Sequence, residues 1–320
     1  MIIWALTDDR AGNNSQTIGL AQSLSQNYQI KQISYNKIAN LPNFLTLSYL
    51  AGINSDLKKA LISAKSPDII IATGRKLARI AIFLKKYHKN SFLIQIMNPN
   101  LNFNQFDAVI LPHHDKNHPY KNIIRSFGSL TKINHNKLKL EKKKFDNILN
   151  NITKPKIALL IGGSSKKKKF THNNAQNLRE ICNNIANNMG ANLLILDSRR
   201  TDKFIIPEFE NNLNCNYQIF RYNKTPNPYL AILEDADYII ATGDSISMCS
   251  EISSLNKAIY IYAEESFCSK KHLKFHQNLF KNNYAKRLDN SITILENYPR
   301  NILDETNRIS KIIHRNISKN

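Results

Sequence analysis

The chain has 320 residues, 42% of them hydrophobic, and a formal charge of +21. That length exceeds what one core comfortably organises, so two domains of roughly 150 residues are expected. No apolar run approaches the ~20 residues that cross a bilayer, and Cys182, Cys215, Cys249 and Cys268 stand far apart with no zinc spacing, which argues against a metal cluster or a disulfide framework.

The opening MIIWALTDDR has no basic region ahead of its apolar stretch and meets charge at Asp8. It reads as a first strand rather than a signal peptide, and a cytoplasmic location is the expectation. Short apolar, β-branched runs then alternate with helical patterns, at 68–74, 92–98, 106–112, 156–163, 192–198, 237–243 and 257–262. Runs apolar at nearly every position suit strands covered on both faces, as in a parallel sheet. Between two of them Leu178, Ile181, Cys182, Ile185 and Met189 recur at helical spacing, and Gly190 ends the pattern. The fold class is therefore α/β, with two Rossmann-like domains whose parallel sheets face an interdomain cleft.

The stretch LKLEKKK at 138–144, followed by Pro155, reads as a linker and places the boundary near residue 150. The domains expected are 1–150 and 151–320, with a final helix over about 299–316 returning to brace the first. DIIIATG at 68–74 and DYIIATG at 237–243 differ at one position, which favours two units of similar design. The lysines are spread along the chain without interleaved aromatics, and no nucleic-acid-binding motif is present, so no specific nucleic-acid binding is expected. An anionic membrane surface is the partner that a field of this sign favours.

Two stretches carry chemistry. In LLIGGSSKKKKFT the pair Gly162 and Gly163 permits a sharp bend, and Ser164 and Ser165 offer hydroxyls and backbone N–H groups to an anion beside Lys166 to Lys169. In YIIATGDSISMCSE, Gly243 makes the turn beside Asp244 and Ser245, Ser247 is the expected N-cap, and the helix starts near Met248. Glu251 then lies about one turn inside, where a carboxylate can accept hydrogen bonds from the two vicinal hydroxyls of a ribose. No Walker or G-x-G-x-x-G spacing occurs, so no tightly bound cofactor is expected. His113, His114, Asp115 and His118 are consecutive or nearly so, which is weak evidence for a metal, and none is expected.

These stretches, with LTDDRAGNNSQTIGLAQSL at 6–24, IATGRK at 71–76, IQIMNPNLNFNQFDAVILPHHD at 94–115 and DSRRT at 197–201, resemble the ELM1 family of plant mitochondrial-fission proteins and their bacterial relatives. That family is in turn similar to GT-B glycosyltransferases such as the lipid-linked GlcNAc transferase of peptidoglycan synthesis. There a Gly-Gly-Ser turn opens the C-terminal domain and a Ser-Glu pair, matching Ser250 and Glu251, holds the donor nucleotide. The resemblance implies Gly162, Gly163, Ser164, Ser245, Ser247 and Glu251 as donor-site residues. The transferase's glycine-rich loop and histidine after the first strand have no match here, where Asp8, Asp9, Arg10, Gly12 and Asn13 stand instead.

Sugar transfer needs a proton acceptor and positive charge for the departing diphosphate. Asp9 and His114 are the two candidates for the base, and Arg10, Gly12, Asn13 and Arg75 are candidates for the acceptor or phosphate side. Arg199 and Arg200 also fall near strand ends. The reading is a metal-independent glycosyltransferase that takes a nucleoside-diphosphate sugar and passes the sugar to an acceptor, lipid-linked or at the inner membrane surface. A nucleotide-sugar epimerase of the same fold and a non-catalytic adaptor are its alternatives.

Overall fold

The computed structural model describes residues 1–35, 53–165 and 167–318, so Lys166 of the lysine run lies outside the described residues. Two compact units result, Met1–Lys132 with Asp304–Asn320, and Ile133–Leu303. The division falls at Lys132 rather than near residue 150. The charged stretch read as a linker is instead a helix of the second unit, anchored through buried Leu138.

In the first unit β1 (Ile3–Thr7), α1 (Ala11–Leu24), β2 (Tyr28–Gln32), α2 (Ser55–Ser63), β3 (Ile69–Thr73), α3 (Gly74–Tyr87), β4 (Phe92–Ile96), β5 (Ala108–Pro112) and β6 (Ile123–Ser126) follow in order. They build a parallel sheet of order β2-β1-β3-β4-β5-β6. Because side chains alternate across a strand, Trp4, Leu6, Ile70 and Ala72 enter one core and Ile3, Ala5, Ile69 and Ile71 the other. The C-terminal helix, Glu305–Ile317, adds Ile309 and Ile313 to that second core. Glu305 and Thr306 fix its start, accepting the Phe127 N–H at 2.7 Å and the Thr131 N–H at 2.9 Å. It begins later than the sequence pattern suggests, because Arg300 is spent on the carbonyls of Ser253, Leu255 and Lys257 in the second unit.

The second unit runs α4 (His135–Lys143), α5 (Asp146–Leu149), β7 (Lys156–Leu160), α6 (His172–Met189), β8 (Asn192–Leu196), α7 (Ile205–Asn212), β9 (Tyr217–Phe220), α8 (Tyr229–Asp235), β10 (Tyr238–Thr242), α9 (Ile246–Ser253), β11 (Ala258–Tyr262), α10 (Lys270–Lys281) and β12 (Lys286–Arg287). Its parallel sheet has the order β12-β11-β10-β7-β8-β9. A capping box at Thr171 and Asn174 starts α6, and Gly190 in the left-handed conformation (φ 58°) stops it.

These orders define the sites. From β7 the chain moves outward to β8 and β9 on one side, whereas β10 and β11 lie on the other. The reversal falls between β7 and β10, whose exits carry the Gly162 and Gly243 stretches. The same reversal in the first unit falls between β1 and β3, whose exits carry Asp8 and Gly74. Ligands of open parallel sheets bind at such points.

Candidate functional site

In the second unit one buried carboxylate organises the exits of β7 and β10. Asp244 accepts the Gly163 N–H at 3.1 Å, the Thr242 hydroxyl at 2.6 Å and an Arg200 N–H at 2.7 Å. Thr242 in turn takes the Gly162 N–H at 2.7 Å. The packing demands both glycines, since a Cβ on Gly162 would sit 2.0 Å from Asp244 Oδ1, and one on Gly163 would sit 1.9 Å from the carbonyl oxygen of Arg200. Ser164 donates its N–H and its hydroxyl to Asp202, at 3.0 and 2.6 Å, and Ser165 N–H donates to the Lys168 carbonyl at 2.8 Å. The expectation that this bend turns its N–H groups toward an anion is therefore corrected. All four amides of Gly162 to Ser165 are bound within the protein, and the bend is a folded platform.

The neighbouring exit differs. Ser245, not Ser247, is the N-cap of α9. It is extended at φ −128°, ψ 103°, and its hydroxyl accepts the Met248 N–H at 3.4 Å, whereas Ser247 is already helical. Glu251 consequently lies in the second turn, half-buried. The phenol of Tyr229 on α8 donates to Glu251 Oε2 at 2.8 Å. Burial first, and then the Glu251 charge, raise that phenol well above its ordinary pKa, so it stays a donor. Ser250 is buried and returns its hydroxyl to the Ile246 carbonyl at 2.8 Å. Behind the turn, His276 of α10 meets the Gly243 carbonyl through Nε2 at 2.6 Å. A carbonyl only accepts, so this nitrogen carries the proton. Burial drives the imidazole pKa down to about 4, and Nδ1 is buried without a hydrogen-bond partner.

In the first unit Asp8 is buried and Asp9 exposed. Asp8 Oδ1 accepts the Arg10 N–H at 2.9 Å, while Oδ2 is buried with no hydrogen-bond partner, 3.8 Å from Arg10 Nε. Asn13 lies across from Gly74, whose φ of 80° needs a glycine and where a Cβ would stand 3.0 Å from the Asn13 amide. Gly12 is exposed in the first turn of α1 and Arg75 in the first turn of α3. The Tyr35 hydroxyl is also buried without a partner, and burial and then the Asp8 charge push its phenol upward. The fold thus gathers Asp9, Arg10, Gly12, Asn13 and Arg75. It leaves His114 apart, at the exit of β5, three strands from β1 or roughly 14 Å at ordinary strand spacing. Among the described residues no group of three or more His, Cys, Asp or Glu side chains could hold a metal ion.

Thr242, Asp202, Tyr229 and His276 were not singled out in the sequence. Asp202, Tyr229 and His276 each act from another segment of the chain, and no local motif announces them. Thr242 had the nearest thing to a signal, as the hydroxyl directly before the Gly-Asp turn.

The two units share a GT-B-like architecture with solved enzymes. The UDP-GlcNAc 2-epimerase of Methanocaldococcus jannaschii is 12% identical with a TM-score of 0.60, over 98% of this chain and all of that one. A glycosyl transferase family 9 protein of Veillonella parvula is 11% identical with a TM-score of 0.53, over all of this chain and 98% of that one. The chain itself belongs to the mitochondrial fission ELM1 family, whose sequence model matches residues 11–317. The protein RP120 of Rickettsia prowazekii is 36% identical over 98% of both chains.

Proposed function

We propose that the protein binds a nucleoside-diphosphate sugar on its second unit and transfers the sugar to an acceptor hydroxyl. The observation that carries this reading is the switch point between β7 and β10, where the start of α9 and the Tyr229-supported carboxylate of Glu251 stand beside a rigid glycine platform. In this reading Glu251 accepts the ribose hydroxyls. The start of α9, with Ser245 and Ser247, meets the diphosphate, and Arg200 supplies positive charge. Gly162, Gly163 and Asp244 shape the site rather than touch the anion.

The acceptor oxygen attacks the anomeric carbon, the bond from that carbon to the diphosphate oxygen breaks, and the nucleoside diphosphate leaves. The acceptor proton passes to a general base, and on the first unit the group available for that role is the exposed carboxylate of Asp9, whose loop Asp8 braces by accepting the Arg10 N–H. The residues named here bind and position without a resident cofactor. The charge of +21 favours an acceptor held at an anionic membrane. Among the described residues no helix is long and apolar enough to cross a membrane.

Incubation with a panel of nucleotide-sugars and analysis of the products tests the proposal. Release of free nucleoside diphosphate that depends on added acceptor supports transfer. Interconversion of the sugar without release indicates an epimerase, and failure to bind any nucleotide leaves an adaptor role.

A further inference from the structure

A cavity of about 480 Å³ in the second unit shares no lining residue with the Gly162–Ser165 bend or the Gly243–Glu251 turn. Its walls are the first half of α6, with Asn173, Asn174 and Asn177, and the segments leaving β11 and β12, with Tyr262, Glu264, Arg287 and Asp289. The volume is within the ~300–1,000 Å³ of small-molecule sites.

The charges in this cavity are already satisfied. Arg287 Nη2 lies 3.1 Å from Glu264 Oε1. Asp289 accepts the Ser291 hydroxyl at 2.5 Å and its N–H at 3.0 Å, bonds that hold its carboxyl below the usual range. One arginine against two carboxylates leaves the lining one negative charge, in a chain that carries +21 overall. An anion is therefore disfavoured where most of the molecule would attract one. The remaining lining groups are carboxamides and hydroxyls, which both donate and accept, over a floor that includes the Tyr262 ring and Ile181. That mixture matches a ring bearing hydroxyls at its rim and an apolar face.

The walls are also tied together. Buried Asn174 takes the Thr171 N–H and hydroxyl at 3.0 and 2.8 Å, and its amide donates to Ser266 at 2.8 Å, joining α6 to the segment after β11. Lys168 Nζ reaches the Glu265 carbonyl at 2.7 Å, which connects this segment to the loop after the glycine bend.

We propose that this cavity is a second ligand site, separate from the nucleotide site, and that it takes a neutral monosaccharide or its N-acetyl derivative. The inference does not rest on the nucleotide reading. It is tested on the full chain by NMR titration with glucose and with N-acetylglucosamine, each repeated in saturating uridine diphosphate, with inorganic phosphate as the anionic control. Asn177→Leu keeps the branched shape of the side chain and removes the amide. Asn173→Trp, at an exposed helical position, covers the mouth and serves if Asn177→Leu fails to fold. The expected result is saturable saccharide binding that persists with uridine diphosphate and weakens about tenfold in Asn177→Leu, as the loss of one neutral hydrogen bond predicts. Absence of saturable binding, displacement of the saccharide by uridine diphosphate, preferential binding of phosphate, or wild-type affinity in the folded variants would each overturn the assignment.

Discussion

At the scale of single residues, Asp244 decides the shape of the second unit's site. Its carboxylate joins the exits of β7 and β10 through Gly163, Thr242 and Arg200. Asp244→Ala leaves a buried N–H and a buried hydroxyl without their acceptor, and we expect a loss of about 2–3 kcal/mol in urea unfolding. The Arg200 contribution is small, because that side chain is 38% exposed. The glycines give a sharper contrast. Gly162→Ala drives a Cβ into a carboxylate held by three bonds, whereas Gly190→Ala meets nothing within 4 Å and costs only its left-handed φ, about 1 kcal/mol. Unfolding midpoints should therefore fall much further for Gly162→Ala. The two glycine amides find their acceptors at Thr242 and Asp244, and the Ser164 amide at Asp202, all on other segments of the chain, which is why the GGSS stretch suggested free amides when read alone.

His276 makes a residue-scale prediction about pH. Its pKa is about 4 in the folded protein, against 6.5 in the absence of burial. Between those values the unfolded chain binds the extra proton, so this contribution to stability is complete above about pH 6.5 and is lost as the pH falls toward 4, by up to about 1.4 kcal/mol per unit. His272, its own pKa lowered by burial, acts in the same direction once it is protonated. His276→Gln retains a donor for the Gly243 carbonyl and does not titrate. The stability difference between wild type and this variant should change with pH across that window, and a constant difference would contradict the assignment.

At the scale of elements, the eight inner strands among the described residues were legible because both of their faces are buried, which makes the sequence uniformly apolar. The edge strands β2, β6, β9 and β12 were not. YQIKQ of β2 and KR of β12 face solvent on at least one side and carry no apolar run to betray them. The start of α9 was misplaced by two residues because Ser245 and Ser247 are equally good caps by type, and backbone conformation alone distinguishes them. Ser245→Ala should therefore cost about 1 kcal/mol of stability and Ser247→Ala less than half of that, measured by chemical denaturation. Tyr229→Phe tests the link between α8 and α9. It should leave the fold intact and weaken nucleotide binding by up to about tenfold, through loss of the bond that orients Glu251. Unchanged binding in a calorimetric titration would show that Glu251 needs no such support.

At the scale of the whole molecule, the division at Lys132 was hidden by charge. LKLEKKK has the composition of a linker, yet α4 packs on α8, and its Lys142 pairs with Asp146 at 2.8 Å and Asp235 at 3.4 Å. The doubly wound design of each unit was visible because it needs only the alternation of apolar runs and helical patterns. The side-chain network of each site was not, because it depends on which strands are neighbours. The net charge of +21 makes its own prediction: the protein should sediment with vesicles rich in anionic lipid at low salt and be released near 0.5 M salt, where the screening length is only about 4 Å. Salt-insensitive binding would point to apolar insertion instead.

The most direct test is calorimetry of the full chain against a panel of nucleoside diphosphates and their sugars, with Glu251→Ala measured in parallel and its folding checked by thermal melting. The account predicts saturable binding of at least one nucleotide, a stabilisation of about 2.7 kcal/mol at a hundredfold excess over Kd, and loss of both in Glu251→Ala. A panel without a single binder, or a folded Glu251→Ala that binds as tightly as wild type, would contradict it.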